Sequence, residues 1–246
     1  HTVSIMHNTY NFLKEMWTYQ SLNFIATGNA ITNSTTIQST GKTITQPINT
    51  NGNFSINGWM GTGKKIKKIK TDLFISAQFN FSKFNERINN VKNKNENSNV
   101  MLTTNISKTK DKKYEFSIGN DLGYNVNKSS VYNRTIKFIT NTVNLNATVY
   151  IKKVWKISTD AEINYRQKTS DFAKDVNNNL WNAQIERTFR KDEFTVFAGI
   201  KDILNENIGI DRSLYGNTLT EVRTDRLQRY WMVGLRWDFK NKKGKK

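Results

Sequence analysis

The chain has 246 residues, with 38 Lys+Arg against 20 Asp+Glu, a net charge of +18, no Cys and one Pro. A mean hydropathy of −0.68, with no run near the roughly 20 apolar residues of a membrane helix, excludes a helical membrane bundle. The missing cysteines exclude disulfide scaffolds, thiolate zinc sites and cysteine nucleophiles, and 12% aromatics with a single Pro argue against disorder.

The N-terminal segment Thr2-Val3-Ser4-Ile5 already reads as a strand, with no start Met and no secretory leader. It suggests a mature fragment or the C-terminal part of something longer. Weak period-two alternation follows at Leu22, Phe24 and Ala26, and at Phe54, Ile56, Gly58 and Met60. It strengthens at Leu73, Ile75, Ala77, Phe79 and Phe81, at Val100, Leu102, Thr104 and Ile106, and at Tyr114, Phe116, Ile118, Asn120 and Leu122. Val143, Leu145, Ala147, Val149 and Ile151 repeat it. In Trp155 to Tyr165 the odd positions are mostly apolar and the even ones are Lys156, Ser158, Asp160, Glu162 and Asn164. Trp181, Ala183, Ile185 and Phe189 continue the series, then Phe194, Val196, Ala198 and Ile200, and last Trp231, Val233, Leu235, Trp237 and Phe239. Side chains alternate between the faces of a strand, so each segment has one apolar and one polar face. These segments make about eleven strands. Helical periodicity is nearly absent, its best candidate being one turn around Ile203-Leu204-Asn205.

The connections alternate. Tight ones are expected at 63–70, 109–113, 152–154 and 190–193, with a shortish one at 8–17. Long ones are expected at 31–51, 83–98, 125–137, 168–179 and 203–228. Short turns at one end and long loops at the other describe an up-and-down antiparallel meander, as in an outer-membrane barrel. A soluble sandwich also alternates, but three features favour the membrane. The alternating cores suit a tilted crossing. Aromatics such as Tyr114, Tyr124, Trp155, Tyr165, Trp181, Trp231 and Phe239 mark strand ends, as interfacial girdles do. Charges sit deep within the polar faces (Asp160, Glu162, Glu186, Arg236), which suits a water-filled lumen. The fold class expected is all-β: an up-and-down transmembrane β-barrel with about 10–11 strands in this chain, part of a larger barrel, over residues 1–239, followed by a basic tail at 240–246.

Three stretches carry a resemblance. They are Leu180-Trp181-Asn182-Ala183, the run Thr195 to Asn207 (TVFAGIKDILNEN), and Arg229 to Phe239 (RYWMVGLRWDF). Gln46 to Ser55 and the basic turn Lys64 to Lys70 agree with them. The chain resembles, along essentially its whole length, the C-terminal barrel portion of the Bacteroidetes outer-membrane β-barrel proteins, which are similar to TonB-dependent receptors. That family implies a barrel of about 22 strands preceded by a plug domain, whereas the segments read here make about half that strand number and include no plug. It also implies a periplasmic C-terminus, with Trp237 and Phe239 as the aromatic-ended signal read by the barrel-assembly machinery. The plainer alternative is that Phe239 closes an apolar face.

Other motifs carry less. Gly58-Trp59-Met60-Gly61-Thr62-Gly63-Lys64-Lys65 nearly spells a phosphate-binding loop, but Lys65 stands where Ser or Thr should hold Mg²⁺ and no helix follows. A Gly-relaxed strand end explains it better. His1 and His7 are too few for a triad or metal site. Asp160 and Glu162 share a face, with Glu186 a candidate neighbour on the next strand. Paired carboxylates can do acid–base work, yet Lys156 and Arg166 on the same face favour a charged lumen wall. The lumen-facing candidates are therefore Lys156, Asp160, Glu162, Arg166, Glu186 and Arg236, and no catalytic, cofactor or metal residues are assigned. About half of the Lys and Arg collect at the tight turns and the tail (64–70, 108–113, 152–156, 190–191, 240–246). A nucleic-acid groove would instead interleave them with aromatics. A basic rim can meet anionic head groups, at about 1 kcal/mol per cation, or simply keep the turns soluble.

The leading expectation is a non-enzymatic outer-membrane barrel segment whose parent takes up a nutrient. Its partners would be membrane lipid, the assembly machinery and, within the family, a plug domain and a surface lipoprotein, with no nucleic acid. The alternatives are a scaffold barrel of an envelope complex and a soluble basic β protein binding nucleic acid or polysaccharide.

Overall fold

The computed structural model describes residues 1–169, 177–189, 193–215 and 218–239. All its regular elements are strands. They are β1 (Thr2–Asn11), β2 (Met16–Thr27), β3 (Ala30–Ile37), β4 (Thr43–Thr50), β5 (Asn53–Ile66), β6 (Thr71–Ile88), β7 (Val91–Lys110), β8 (Tyr114–Ser129), β9 (Arg134–Ile151), β10 (Trp155–Arg166), β11 (Asn179–Phe189), β12 (Phe194–Lys201), β13 (Ile210–Tyr215), β14 (Thr218–Arg223) and β15 (Tyr230–Trp237). Eleven of them, β1, β2, β5 through β12, and β15, form an antiparallel meander in which each strand pairs with the next. These are the strands expected from alternation. Two hairpins are added within the long connections. β3–β4 lies between β2 and β5, and β13–β14 lies between β12 and β15. Around Ile203 the chain makes a single turn, with Asn205 N donating to Asp202 O at 3.0 Å.

Two of the expected long loops are strand instead. β6 and β7 run on to Ile88 and Val91 and join through Asn89 and Asn90. Both residues have left-handed φ, 47° and 66°, as a two-residue hairpin turn of this hand requires. β8 and β9 likewise extend to Ser129 and Arg134. These extensions escape a hydropathy pattern because most of their residues are polar, and Phe84, Ile88, Ile136 and Phe138 fall at positions of the polar face. Amide networks add to the small apolar contact at Ile88 and Phe138. Asn93 and Asn95 are fully buried and both donate to Glu86 Oε1, at 3.0 and 2.7 Å. Asn93 Oδ1 in turn accepts from Ser129 Oγ and Val131 N, each at 3.0 Å. Satisfied this fully, a buried amide fixes strand register without cost.

β6 outruns β5, and an uncovered edge invites foreign pairing. β3 covers this one, pairing in parallel at Ser34↔Arg87 and Thr35↔Ile88, with Asn89 N donating to Thr35 O at 2.9 Å. Among the described residues β1 and β15 pair with no further strand on their outer edges, so the sheet is open. The turn at 190–192 and the basic tail at 240–246 lie outside the described residues.

Candidate functional site: the two faces of the sheet

The register joins every apolar segment into one continuous face. Ile157 pairs with Val149 and Ile185, Leu145 with Ile118, Ile118 with Ile106, and Ile106 with Leu73. Val196 pairs with Leu235 at the far side, and Leu22 with Ile5 at the near side. Among the described residues nothing covers this face. Ile157 is 42% exposed, Ile118 47% and Leu235 64%. Among the described residues only Ile88 and Phe138 are buried hydrophobics, whereas Asn85, Asn93, Asn95, Thr195 and Glu186 are buried polar residues. This inverts the pattern of a protein folded around an oil-like centre.

Aromatic rings bound the apolar band. On β8 it runs from Tyr114 to Tyr124 and on β10 from Trp155 to Tyr165, ten residue steps in each case, or about 34 Å of strand. At the tight-turn end the Trp237 ring stacks on Phe194 at 5.1 Å and lies 4.1 Å from Phe239. There too Arg187 lies 5.0 Å over Trp155 and 4.7 Å over Phe189, which keeps its charge at the margin of the band. The assembly-signal candidates Trp237 and Phe239 thus sit together at that margin. Midway across the band, small residues Ala147, Thr159 and Ala161 floor a shallow trough of about 670 Å³.

The turns at 12–15, 67–70, 111–113 and 152–154 all leave from one edge of the meander. Lys70, Lys112, Lys152 and Lys153 there have φ of 52°, 52°, 49° and 59°. Left-handed backbone costs a side-chain-bearing residue about 1 kcal/mol relative to Gly, so lysine stands at these positions against the local preference.

All six lumen-facing candidates lie on the opposite, polar face, but they form separate groups. Lys156 Nζ is 3.2 Å from Glu186 Oε1, and Arg236 reaches the other carboxylate oxygen at 3.8 Å and Asp238 at 3.5 Å. Glu186 therefore faces Lys156 rather than Asp160 or Glu162, and the three carboxylates do not converge. Asp160 instead accepts from Asn182 at 2.6 Å, and Glu162 from Asn164 at 2.6 Å. Arg166 lies 4.5 Å over the Phe138 ring and donates to the Arg212 carbonyl, tying the β13–β14 hairpin to this face. In that hairpin Arg212 and Arg223 both donate to Glu221, at 2.8 Å each, and hold its carboxyl below the usual carboxylate range. Nothing in these groups pairs a nucleophile with a base.

One feature of the polar face escaped the sequence reading. Tyr10, Trp17, Tyr19, Trp59 and Phe74 all project from it at the tight-turn end of β1, β2, β5 and β6. Trp17 and Tyr19 stand at odd offsets from Leu22, which is the signal that places them opposite the apolar face. The Gly58-to-Lys65 motif lies here too, running through the second half of β5 to one residue short of its end at Ile66. A Cβ at Gly63 would collide with the Trp17 indole, and one at Gly58 with the Phe79 ring on the apolar side. The glycines exist to let rings lie flat across the strand.

Comparison with protein-family models, with curated proteins and with solved structures returned no match.

Proposed function

We propose that this chain is one wall of an outer-membrane β-barrel, with its apolar face in lipid and its polar face on a water-filled lumen. The observation that carries the reading is the uncovered apolar face, continuous across eleven strands and edged by aromatics at both ends. At the usual tilt of about 45°, a band of about 34 Å of strand stands about 24 Å tall, close to the apolar height of outer-membrane barrels. A soluble β protein would leave the same side chains in water, at about 1.5–3 kcal/mol for each large one.

Strand parity extends this. Ten antiparallel steps separate β1 from β15, so the two edge strands run in the same direction. They cannot close on each other antiparallel, and closure takes an odd number of further strands, giving the even total of bacterial barrels. The resemblance to TonB-dependent-receptor barrels supports assigning those strands and a plug to a longer parent that takes up a nutrient. The C-terminus and the lysine-bearing turns would then face the periplasm. The lysines would meet anionic head groups, and Trp237 and Phe239 would be read by the assembly machinery. No enzymatic role is proposed.

Cell fractionation with heat-modifiable migration tests the reading. The expected result is recovery in the outer membrane, soluble only with detergent, with a band that shifts on boiling. A monodisperse species in plain buffer would overturn it. A scaffold barrel would give the same migration without a plug domain in its open reading frame.

A further inference from the structure

The trough on the apolar face has a direction. Register puts Ile106, Ile118, Leu145, Ala161 and Trp181 in one row across β7 to β11. β7 ends at Lys110, four residues past Ile106, whereas β11 ends at Phe189, eight residues past Trp181. The row therefore climbs away from the tight-turn edge as it crosses the sheet. The four-residue difference is about 14 Å of strand, which rises about 10 Å at a tilt of about 45°. That is close to half the height of the apolar band, the depth of one leaflet of acyl chains. The trough follows this climb. Lys108 and its register partner Phe116 line its lower end, Ala147, Thr159 and Ala161 floor its middle, and Trp181 and Leu204 line its upper end. Thr159 Oγ1 donates to Asn182 O at 2.7 Å and accepts from Trp181 Nε1 at 2.8 Å. The hydroxyl of the floor is thus satisfied, and the indole is pinned beside it. Lys108 is half-buried and stands one alternation step inside the Tyr114 margin. Among the described residues it has no carboxylate partner. Between the aromatic margins the apolar face of β6 through β11 carries no Asp or Glu. Arg187 rests over aromatic rings, but Lys108 borders the trough.

We propose that this trough seats one acyl chain of an anionic phospholipid from the leaflet at the tight-turn end, with the phosphate on Lys108. It rests on the reading that the apolar face meets lipid, and it turns a general lipid contact into one site for one lipid. The chemistry of the occupant follows from the two parts of the trough. Its floor has no free hydrogen-bonding group to offset the desolvation of a polar ligand. Its small side chains leave a gap between Phe116 and Trp181, which a flexible hydrocarbon chain fills with dispersion contacts. The cation at the lower end calls for an anion at head-group level. A lysine stem lies along apolar surface while its ammonium reaches the head groups. The adjoining turn, Lys110 to Lys113, adds three lysines against the single Asp111. A second copy of this sheet is a poorer occupant. Its apolar face would bring no acid to the trough and would bury Lys108 unpaired.

Native mass spectrometry of the full chain tests this, with the protein released from detergent micelles that carry phosphatidylglycerol and phosphatidylcholine in equal amounts. The expected result is retention of a single phosphatidylglycerol, preferred about fivefold over phosphatidylcholine. Lys108→Gln should erase the preference, whereas Lys42→Gln, in the β3–β4 turn at the other end of the sheet, should leave it. Ala161→Leu, which fills the trough without changing charge, should lower retention of both lipids about tenfold. No retention, equal retention of the two lipids, several lipids bound with no preferred number, a preference that survives Lys108→Gln, retention unchanged in Ala161→Leu, or a lipid-free dimer would each overturn the site. Heat-modifiable migration of the same samples reports the barrel reading separately. A band shift without selective retention refutes the lipid site alone, and selective retention without a shift refutes the barrel alone.

Discussion

Lys156 and Glu186 face each other across β10 and β11, with Nζ 3.2 Å from Oε1, and one residue further along, the pair Ile157 and Ile185 points to the other side of the sheet. Charge pair and apolar pair thus occupy opposite faces of the same two strands. The cost of a misplaced charge should follow this division and, on the apolar side, depth. Leu145 lies midway along the band on β9, whereas Ile163 lies next to the ring of Tyr165 at its margin. Leu145→Arg should lower stability in vesicles by about 2–4 kcal/mol, Ile163→Arg by about 1 kcal/mol or less, and Ser158→Arg on the polar face by about 0.5 kcal/mol or less. Urea titration of the vesicle-inserted chain measures all three, and equal losses would refute the assignment of faces.

The left-handed turn lysines separate two roles. If they are there for charge, the triple change Lys70→Asn, Lys112→Asn and Lys153→Asn leaves the turns intact, because Asn tolerates this backbone well. Binding to anionic vesicles should then fall by about 3 kcal/mol, roughly a hundredfold, at low salt. Vesicle co-sedimentation at two ionic strengths reads this out, and unchanged binding would leave only turn solubility as their role.

Trp17 and Gly63 form a steric lock. Gly63→Val should cost about 1–3 kcal/mol, because the indole must leave its place over the strand. Adding Trp17→Ala should recover part of that loss, since the two residues share one space. Thermal melts followed by near-ultraviolet circular dichroism give the cycle, and strictly additive losses would contradict the contact.

The β13–β14 hairpin should respond to acid. Hydrogen bonds from Arg212 and Arg223 lower the Glu221 pKa in the folded chain. Stability from this group is therefore fully present above the ordinary carboxylate value of about 4.3 and is lost as pH falls through the lowered one. Limited proteolysis of the hairpin should be unchanged from neutral pH down to about pH 5 and should rise only below the ordinary carboxylate value. Opening already at mildly acidic pH would contradict the linkage, and Glu221→Gln should remove the acid step.

The eleven-strand meander was legible because its apolar face writes itself as period two, from Leu73–Phe81 through Trp231–Phe239. The outer ends of β6 through β9 were not, since Asn93, Asn95 and Ser129 hold strand pairing through amides that carry no hydropathy signal. β3 was hidden for a related reason. It exists to cover the β6 edge, a need that appears only once β5 is seen to stop short at Asn53. The lumen candidates were found as residues of one face, but their partners were not. Pairing of Glu186 with Lys156 rather than with Asp160 depends on register, and register is set by turn lengths that the sequence locates only loosely. The rings at the tight-turn end of the polar face were missed because Trp17 falls in the expected 8–17 connection and Tyr19 in a weak strand, whose two faces were told apart only by Leu22, Phe24 and Ala26.

The central claim is that one face of this sheet meets lipid and the other meets water. Spin labels placed singly along β10, from Trp155 to Tyr165, in the vesicle-inserted chain test it most directly. Collision rates with oxygen, which partitions into lipid, and with a water-soluble nickel complex should alternate out of phase with a period of two, oxygen high at Ile157, Ala161 and Ile163 and nickel high at Ser158, Asp160 and Glu162. Uniform nickel access along the whole strand, or alternation of the opposite phase, would contradict the account.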